Sequence, residues 1–219
     1  MMHRLIVTSD GSHTIYIPEL NEHYHSTHGA IQESGHIFIN AGLRSFGTSN
    51  LDILEVGFGT GLNALLTVLE ASAKGNSINY STVEKYPLES EIVNSLNYGA
   101  ILGNDSSTIL TSLHAAPWNK KVRITDNFTI EKLKEDLTYM NIGGMYDLIY
   151  FDAFGPDKQP EMWTPEVFSK ISAVTRPGGI FVTYSAKGEV KRNLRACGFE
   201  VTLLPGPPGK RQIIRAVKK

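Results

Sequence analysis

The stretch DLIYFDAFGPDKQPEMW, residues 147–163, carries an apolar run into one acid, Asp152, and then into a loop holding Gly155, Pro156, Pro160 and Trp163. An acid at the carboxyl end of a buried parallel strand faces the ligand crevice of an open α/β sheet. There it can accept a hydrogen bond, hold a cation or take a proton. Pro156 and Pro160 stiffen the loop that presents a target to it and limit what must be ordered on binding. A second candidate is EVGFGTG, residues 55–61. Gly57, Gly59 and Gly61 let the backbone turn sharply and leave no Cβ between it and a ligand. The spacing is G-x-G-x-G. A dinucleotide fingerprint needs glycine at 62, where this chain has Leu62, so the motif argues against a dinucleotide.

Other acids stand at expected strand ends. Glu84 closes STVEK, ahead of Lys85, and lies where an acidic side chain accepts both hydroxyls of a ribose. Asp126 ends VRITD. It is a candidate partner for an adenine amino group, or equally the N-cap of a helix over 128–137. Phe154 and Trp163 have the chemistry to stack on an extruded base, with core packing the alternative for Trp163. NEHYHSTH, residues 21–28, holds His23, His25 and His28. A metal site is one reading, but no cysteine accompanies them. The other reading has them line a ligand mouth with Tyr24 and Ser26.

The surrounding pattern supplies elements to position these groups. RLIVTSDGSHTIYIP at 4–18 reads as a hairpin about Asp10-Gly11, and HIFIN at 36–40 as a strand. From residue 51 strands and helices alternate: strand 51–57, helix 61–73, strand 78–85, a helix over 87–102 opened by Pro87, strand 121–126, helix 128–137, strand 146–154 and helix 165–175. Closing strands at 178–186, 199–206 and 211–217, with a helix over 188–198, complete the pattern. Alternation of this kind implies a parallel sheet. The expected organisation is a small β-rich piece at 1–50 followed by a Rossmann-like α/β domain at 51–219.

Composition agrees with a globular chain. The 219 residues are 41% hydrophobic and 20% charged, enough for one full core. The single cysteine, Cys197, and the lack of an early signal-like apolar run point to a cytoplasmic protein. No apolar run approaches the roughly 18 residues of a membrane span. The net charge of −1 is uneven: residues 187–219 hold nine basic and two acidic side chains, so the remainder carries −8. Such asymmetry suits a polyanion at one face, or a solvated tail.

NEHYHSTHGAIQES (21–34), ILEVGFGTGLNALLT (53–67), YFDAFGPDKQPEMWTPEVF (150–168), TYSAKGEVKRNLRACGFEV (183–201) and PGPPGKRQIIRA (205–216) together resemble the tRNA methyltransferase family that completes 5-methylaminomethyl-2-thiouridine at the wobble position. The resemblance implies a class I methyltransferase sheet. It implies methyl transfer from S-adenosylmethionine to the exocyclic amine of 5-aminomethyluridine, with the tRNA anticodon loop as partner and no metal. On it, Glu55, Gly57, Phe58, Gly59, Gly61, Asn63, Glu84, Lys85 and Asp126 are expected to bind the cofactor. Tyr24, Ser26, Phe154, Pro156, Trp163, Lys210 and Arg211 are expected at the substrate, and Asp152 at the reaction. The chain departs from the pattern at Gly155, where alanine is usual, and at Gln212, where an acid is usual. It also shows no second glycine loop for an FAD-dependent half, so the expectation is a stand-alone form whose aminomethyl tRNA comes from a separate FAD-dependent or other enzyme. Two other classes fit less of the pattern. A small-amine methyl- or aminopropyltransferase shares YDLIYFDAF, and a non-catalytic RNA-binding module would not need Glu55, Glu84 and Asp152.

Overall fold

Residues 3–47, 50–103 and 105–219 are described in the computed structural model of the chain. β1 (Arg4–Val7) and β2 (His13–Ile17) pair as an antiparallel hairpin, and β3 (Glu22–His23) adds a third antiparallel strand. At the turn the Asp10 carboxylate accepts from the Ser12 backbone at 3.0 Å, the local bond that favours Asp there. The expected strand at 36–40 is helical instead. The chain forms α1 (Ala30–Ser34) and continues as a π-helical segment, Gly35–Asn40. Ala30, Ser34, Ile37, Phe38 and Ala41 recur at helical intervals and are all buried. A strand would have sent Ile37 and Phe38 to opposite faces.

The main sheet has eight strands. Five run parallel in the spatial order β9 (Thr175–Thr183), β8 (Tyr146–Phe151), β4 (Asn50–Val56), β5 (Ser77–Val83) and β7 (Phe128–Leu133). β6 (Lys121–Thr125) lies antiparallel outside β7. At the other edge β11 (Gln212–Lys218) and β10 (Phe199–Pro205) are antiparallel additions. Ile53 and Leu54, both fully buried, point into separate cores on the two faces of β4. Burial on both faces is why LDILEV reads as a continuous apolar run.

The helix expected over 128–137 is a strand. Phe128, Ile130 and Lys132 are buried at alternate positions, and the side chains between them face away. The expected helix over 87–102 divides into α3 (Ser90–Asn94) and α4 (Tyr98–Leu102). Asn97, between them, bonds through its side chain to His13 N at 2.8 Å and Gly11 O at 2.9 Å, tying this segment to the first hairpin. An additional helix, α5 (Ser106–Ala115), is rich in Ser and Thr and carries little pattern in sequence. Helices α2 (Leu62–Lys74), α6 (Pro165–Val174) and α7 (Gly188–Ala196) follow the expected positions.

After β4 the chain crosses through α2 to β5 on one side, while β8 pairs on the other. Such a switch opens a crevice at the carboxyl ends of β4 and β8. Among the described residues no helix is long and apolar enough to cross a membrane.

Candidate active site

Three backbone bonds set the strand ends side by side: Asp152 N donates to Val56 O, Gly57 N to Val83 O and Glu84 N to Leu133 O, each at 2.9 Å. The acid after β8, the glycine loop after β4 and the acid after β5 therefore share one rim. At Gly57 φ is +90° and a Cβ would lie 2.7 Å from Asp152 O, so only glycine lets the two strand ends meet. At Gly59 a Cβ would press on the Tyr24 ring at 3.1 Å. The Glu84 carboxylate holds this loop, accepting from Gly59 N at 3.1 Å and from Tyr86 N at 2.8 Å.

A cavity of about 680 Å³ lies over the rim, within the size of small-molecule sites. Asp152, Asn63, Glu84, Lys85, Gly57, Phe58 and Gly59 line it from the sheet side. Tyr24, Ser26, Phe154, Pro156 and Lys210 line it from the extension and the loops. Tyr24 and Phe154 meet edge to face at 5.1 Å. Asn63, at the start of α2, donates its side-chain amide to Asp152 Oδ2 at 2.8 Å. Burial pushes the Asp152 carboxyl up to about 7; the Asn63 bond and Lys210 oppose the rise, and Glu33 adds to it. An acid that changes charge near neutrality is suited to proton or cation handling.

Several expected contacts are placed elsewhere. Asp126 is exposed in the β6–β7 turn, at the opposite end of the sheet from Glu84, because β6 runs antiparallel to β7. It neither caps a helix nor reaches the cavity. The acid after β7 that does line it is Asp136, paired with Lys85 at 2.8 Å. Reading FTIEKL as a strand would have found it. Glu55 is fully buried below the loop and does not line the cavity; its Oε2 accepts from Thr82 at 2.8 Å, and burial pushes its carboxyl up to about 8. Gly61 caps α2 behind the lining, against His114. Trp163 is core, packed on Phe151 at 5.0 Å, with its indole N–H given to Phe154 O at 2.7 Å. It shapes the loop from beneath and has no face for a base.

Arg211 is exposed in the β10–β11 hairpin, outside the cavity. The basic carboxyl-terminal stretch is not a loose tail, since β11 is an interior strand of the sheet and Lys218 Nζ bonds Ser172 Oγ at 2.7 Å. Lys210 turns inward to Glu33, 3.0 Å away. Glu33, on α1, was not expected in the site; its apolar neighbours Ala30, Ile37 and Phe38 carry the helical signal that would have placed it. His23 and His25 border the cavity, with His25 buried and its ring pushed down to about 4 by that burial. His28 packs on Gly209 instead. Among the described residues no three His, Cys, Asp or Glu side chains gather as metal ligands.

Residues 107–219 match a protein-family model described as S-adenosyl-L-methionine-dependent methyltransferase. A tRNA 5-methylaminomethyl-2-thiouridine biosynthesis bifunctional protein MnmC from Cupriavidus necator is 31% identical over 217 residues, covering 90% of this chain and 32% of its own length. The protein of the same name from Magnetococcus marinus is also 31% identical, over 93% of this chain and 32% of its own. The chain thus spans about a third of these curated relatives. The crystal structure of MNMC2 from Aquifex aeolicus superposes with a TM-score of 0.82 at 26% identity, covering 100% of this chain and 70% of that one. Spermidine synthase from Thermotoga maritima, at 14% identity and a TM-score of 0.58 over 99% of this chain and 73% of its own, shares the fold.

Proposed function

Because the chain belongs to the S-adenosyl-L-methionine-dependent methyltransferase family, we propose that it methylates the exocyclic amine of 5-aminomethyl-(2-thio)uridine at the wobble position of tRNA, with S-adenosylmethionine as methyl donor. Asp152 carries this reading: a carboxylate on the cavity rim, oriented by Asn63 and backed by the glycine loop. The names of the curated relatives, tRNA 5-methylaminomethyl-2-thiouridine biosynthesis proteins, support the choice of substrate.

S-adenosylmethionine supplies an electrophilic methyl group on a sulfonium. For it, the cavity offers the close approach at Gly57 and Gly59, with Glu84 for the ribose hydroxyls and Lys85 with Asp136 along the outer wall. Asn63 and Asp152 act on the amine. An alkylammonium titrates near 10.4 and an ordinary Asp near 3.9, so full proton transfer would cost roughly 9 kcal/mol. With Asp152 pushed up to about 7, the gap narrows to ~3.4 units, roughly 5 kcal/mol. Asp152 then accepts the proton or a strong hydrogen bond, aims the lone pair and offsets the positive charge growing on nitrogen.

Phe154, held by Gln159 Oε1 at its backbone N (3.2 Å) and by the Trp163 bond at its carbonyl, presents an aromatic edge near Tyr24 for the base. Exposed Arg211, on the β10–β11 hairpin outside the cavity, supplies positive charge for the RNA backbone, and Lys187, paired with Asp157, lies at the cavity edge. A tRNA substrate places the reaction in the cytoplasm. The aminomethyl group must come from a reaction of another class.

Purified protein is to be incubated with S-adenosylmethionine and tRNA bearing 5-aminomethyluridine, followed by mass spectrometry of the nucleosides. Conversion of that nucleoside to its monomethyl form is expected. Absence of conversion with intact cofactor binding overturns the proposal.

A further inference from the structure

Glu33 lines the cavity together with Asp152, and its charge acts on that acid. Glu33 is 8% exposed, and its Oε2 accepts from Ser26 N at 2.7 Å while Oε1 faces Lys210 Nζ at 3.0 Å. Lys210 also lies over the Tyr184 ring at 5.0 Å, and Tyr184 gives its hydroxyl to Ala153 O at 2.8 Å, next to Asp152. Glu33 thus reaches the site from the amino-terminal extension and Lys210 from the β10–β11 hairpin. His36 Nε2, 2.9 Å from Pro205 O, pins that hairpin to the extension. Holding a largely buried carboxylate beside a cavity is costly unless its charge is used or paired.

The chemistry of the amine asks for two acceptors. A primary ammonium has three N–H donors. It surrenders one proton to free the lone pair, and the nitrogen forms its new bond to the methyl carbon as the carbon–sulfur bond breaks. Two N–H groups persist throughout, and the product is a methylammonium. Asn63 fixes the Asp152 carboxylate through Oδ2; the N–H groups of a tetrahedral nitrogen diverge, so when Asp152 takes the proton or one N–H the other calls for an acceptor on another side.

We propose that Glu33 is the second amine-holding carboxylate of this site, kept in place by Ser26 and Lys210, and that with Asp152 it selects a primary amine and stops the reaction at one methyl. This rests on the reading of the function above. A monomethylated amine that has lost its proton retains one N–H, so one carboxylate would face carbon in place of a donor, and a second transfer is disfavoured. Lys210 balances the Glu33 charge. The groups facing Asp152 are Asn63, Glu33 and Lys210, with Glu55 below and the neutral hydroxyls of Tyr80 and Tyr184 beside it.

Three variants test this: Glu33→Gln, Glu33→Asp and Lys210→Met. Carboxyl carbon-13 NMR of the cofactor-free protein reads the Asp152 titration directly. Glu33→Gln removes a negative neighbour and lowers its midpoint, whereas Lys210→Met removes a positive one and raises it. In steady-state kinetics Glu33→Gln is expected to raise KM for aminomethyl-tRNA about ten- to a hundredfold, the scale of a charge-assisted bond. Its cofactor Kd should stay within about twofold, Glu33→Asp should recover part of the loss, and dimethylated nucleoside should appear on long incubation. An Asp152 midpoint unmoved in both charge variants, or an unchanged KM in folded Glu33→Gln, overturns the proposal. So does a tenfold loss of cofactor affinity with KM intact, which would assign Glu33 to the cofactor's amino group. Wild-type protein that binds cofactor but leaves the amine unmethylated removes the parent reading and this one with it; wild-type activity matched by Glu33→Gln removes this one alone.

Discussion

The side-chain amide of Asn63 donates to Asp152 Oδ2 at 2.8 Å, joining the first turn of the helix after the glycine loop to the acid after the neighbouring strand. The bond favours the charged carboxylate against the burial that disfavours it. Replacing Asn63 by Leu should push the Asp152 carboxyl further above about 7. Single-turnover rates require the charged form, so the acid limb of the pH profile should move to higher pH. An unmoved limb would remove Asp152 as the titrating group.

Asp152→Asn keeps the shape and one acceptor but loses the charge. Methylation should fall by roughly 10²–10³, the cost of one preorganised electrostatic partner, with kcat affected more than KM because the charge on nitrogen grows toward the transition state. A melting curve of the same variant separates this from a structural role, which would lower stability and spare turnover.

Glu84→Ala removes the acceptor for Gly59 N and Tyr86 N as well as the proposed ribose contact. Calorimetric titration with S-adenosylmethionine should show affinity weakened by roughly 1.5–3 kcal/mol, the range for hydrogen bonds to a charged group. Wild-type affinity would rule out the ribose assignment.

Charge reversal at exposed Arg211 should weaken tRNA binding and reduce the log–log salt slope by roughly 0.7–0.9 if the residue meets one phosphate. Lys210, committed to Glu33, should behave differently, since its loss alters the pH profile. Filter binding across a salt series reads the first effect, and an unaltered slope would make Arg211 an ordinary surface cation.

Glu55 contributes a pH dependence of stability. Its ordinary carboxyl value is 4.5 and burial pushes it up to about 8. Below about 4.5 folded and unfolded chains both hold the proton and the contribution is fully present. Between about 4.5 and 8 the folded protein keeps a proton that the unfolded chain releases, so stability falls as pH rises through that window. Glu55→Gln should flatten the decline in melting temperature between pH 5 and 8. A chain of this size shifts by roughly 2–4 °C per kcal/mol, so calorimetry resolves the difference. Parallel curves for wild type and variant would mean that Glu55 is ionised in the folded protein.

The glycine loop, Asp152 and Glu84 were legible because each belongs to a local pattern: an apolar run that ends, and a residue type at the end. Burial on both faces makes β4 and β8 stand out in sequence, and glycine at 57 and 59 serves a positive φ, +90° and +48°, besides the close neighbours it admits. The helix–strand confusion at 128–137 arose because β7 carries a buried lysine. Lys132 is settled by the rings of Phe58 and Trp118 and by His114 O at 2.6 Å, all from other elements. That error misplaced the next acid, so Asp126 was expected where Asp136 stands.

The sequence by itself determined the α/β alternation, the loop and the rim acids, because strand and helix periods and glycine conformations are set within a few residues. Tertiary structure alone decided that Trp163 is core, that Glu55 lies beneath the loop and that Glu33 meets Lys210 across 177 positions of chain. Burial, ion pairing and the charge of Asp152 are properties of what distant segments bring together, and no local pattern of residues encodes that meeting.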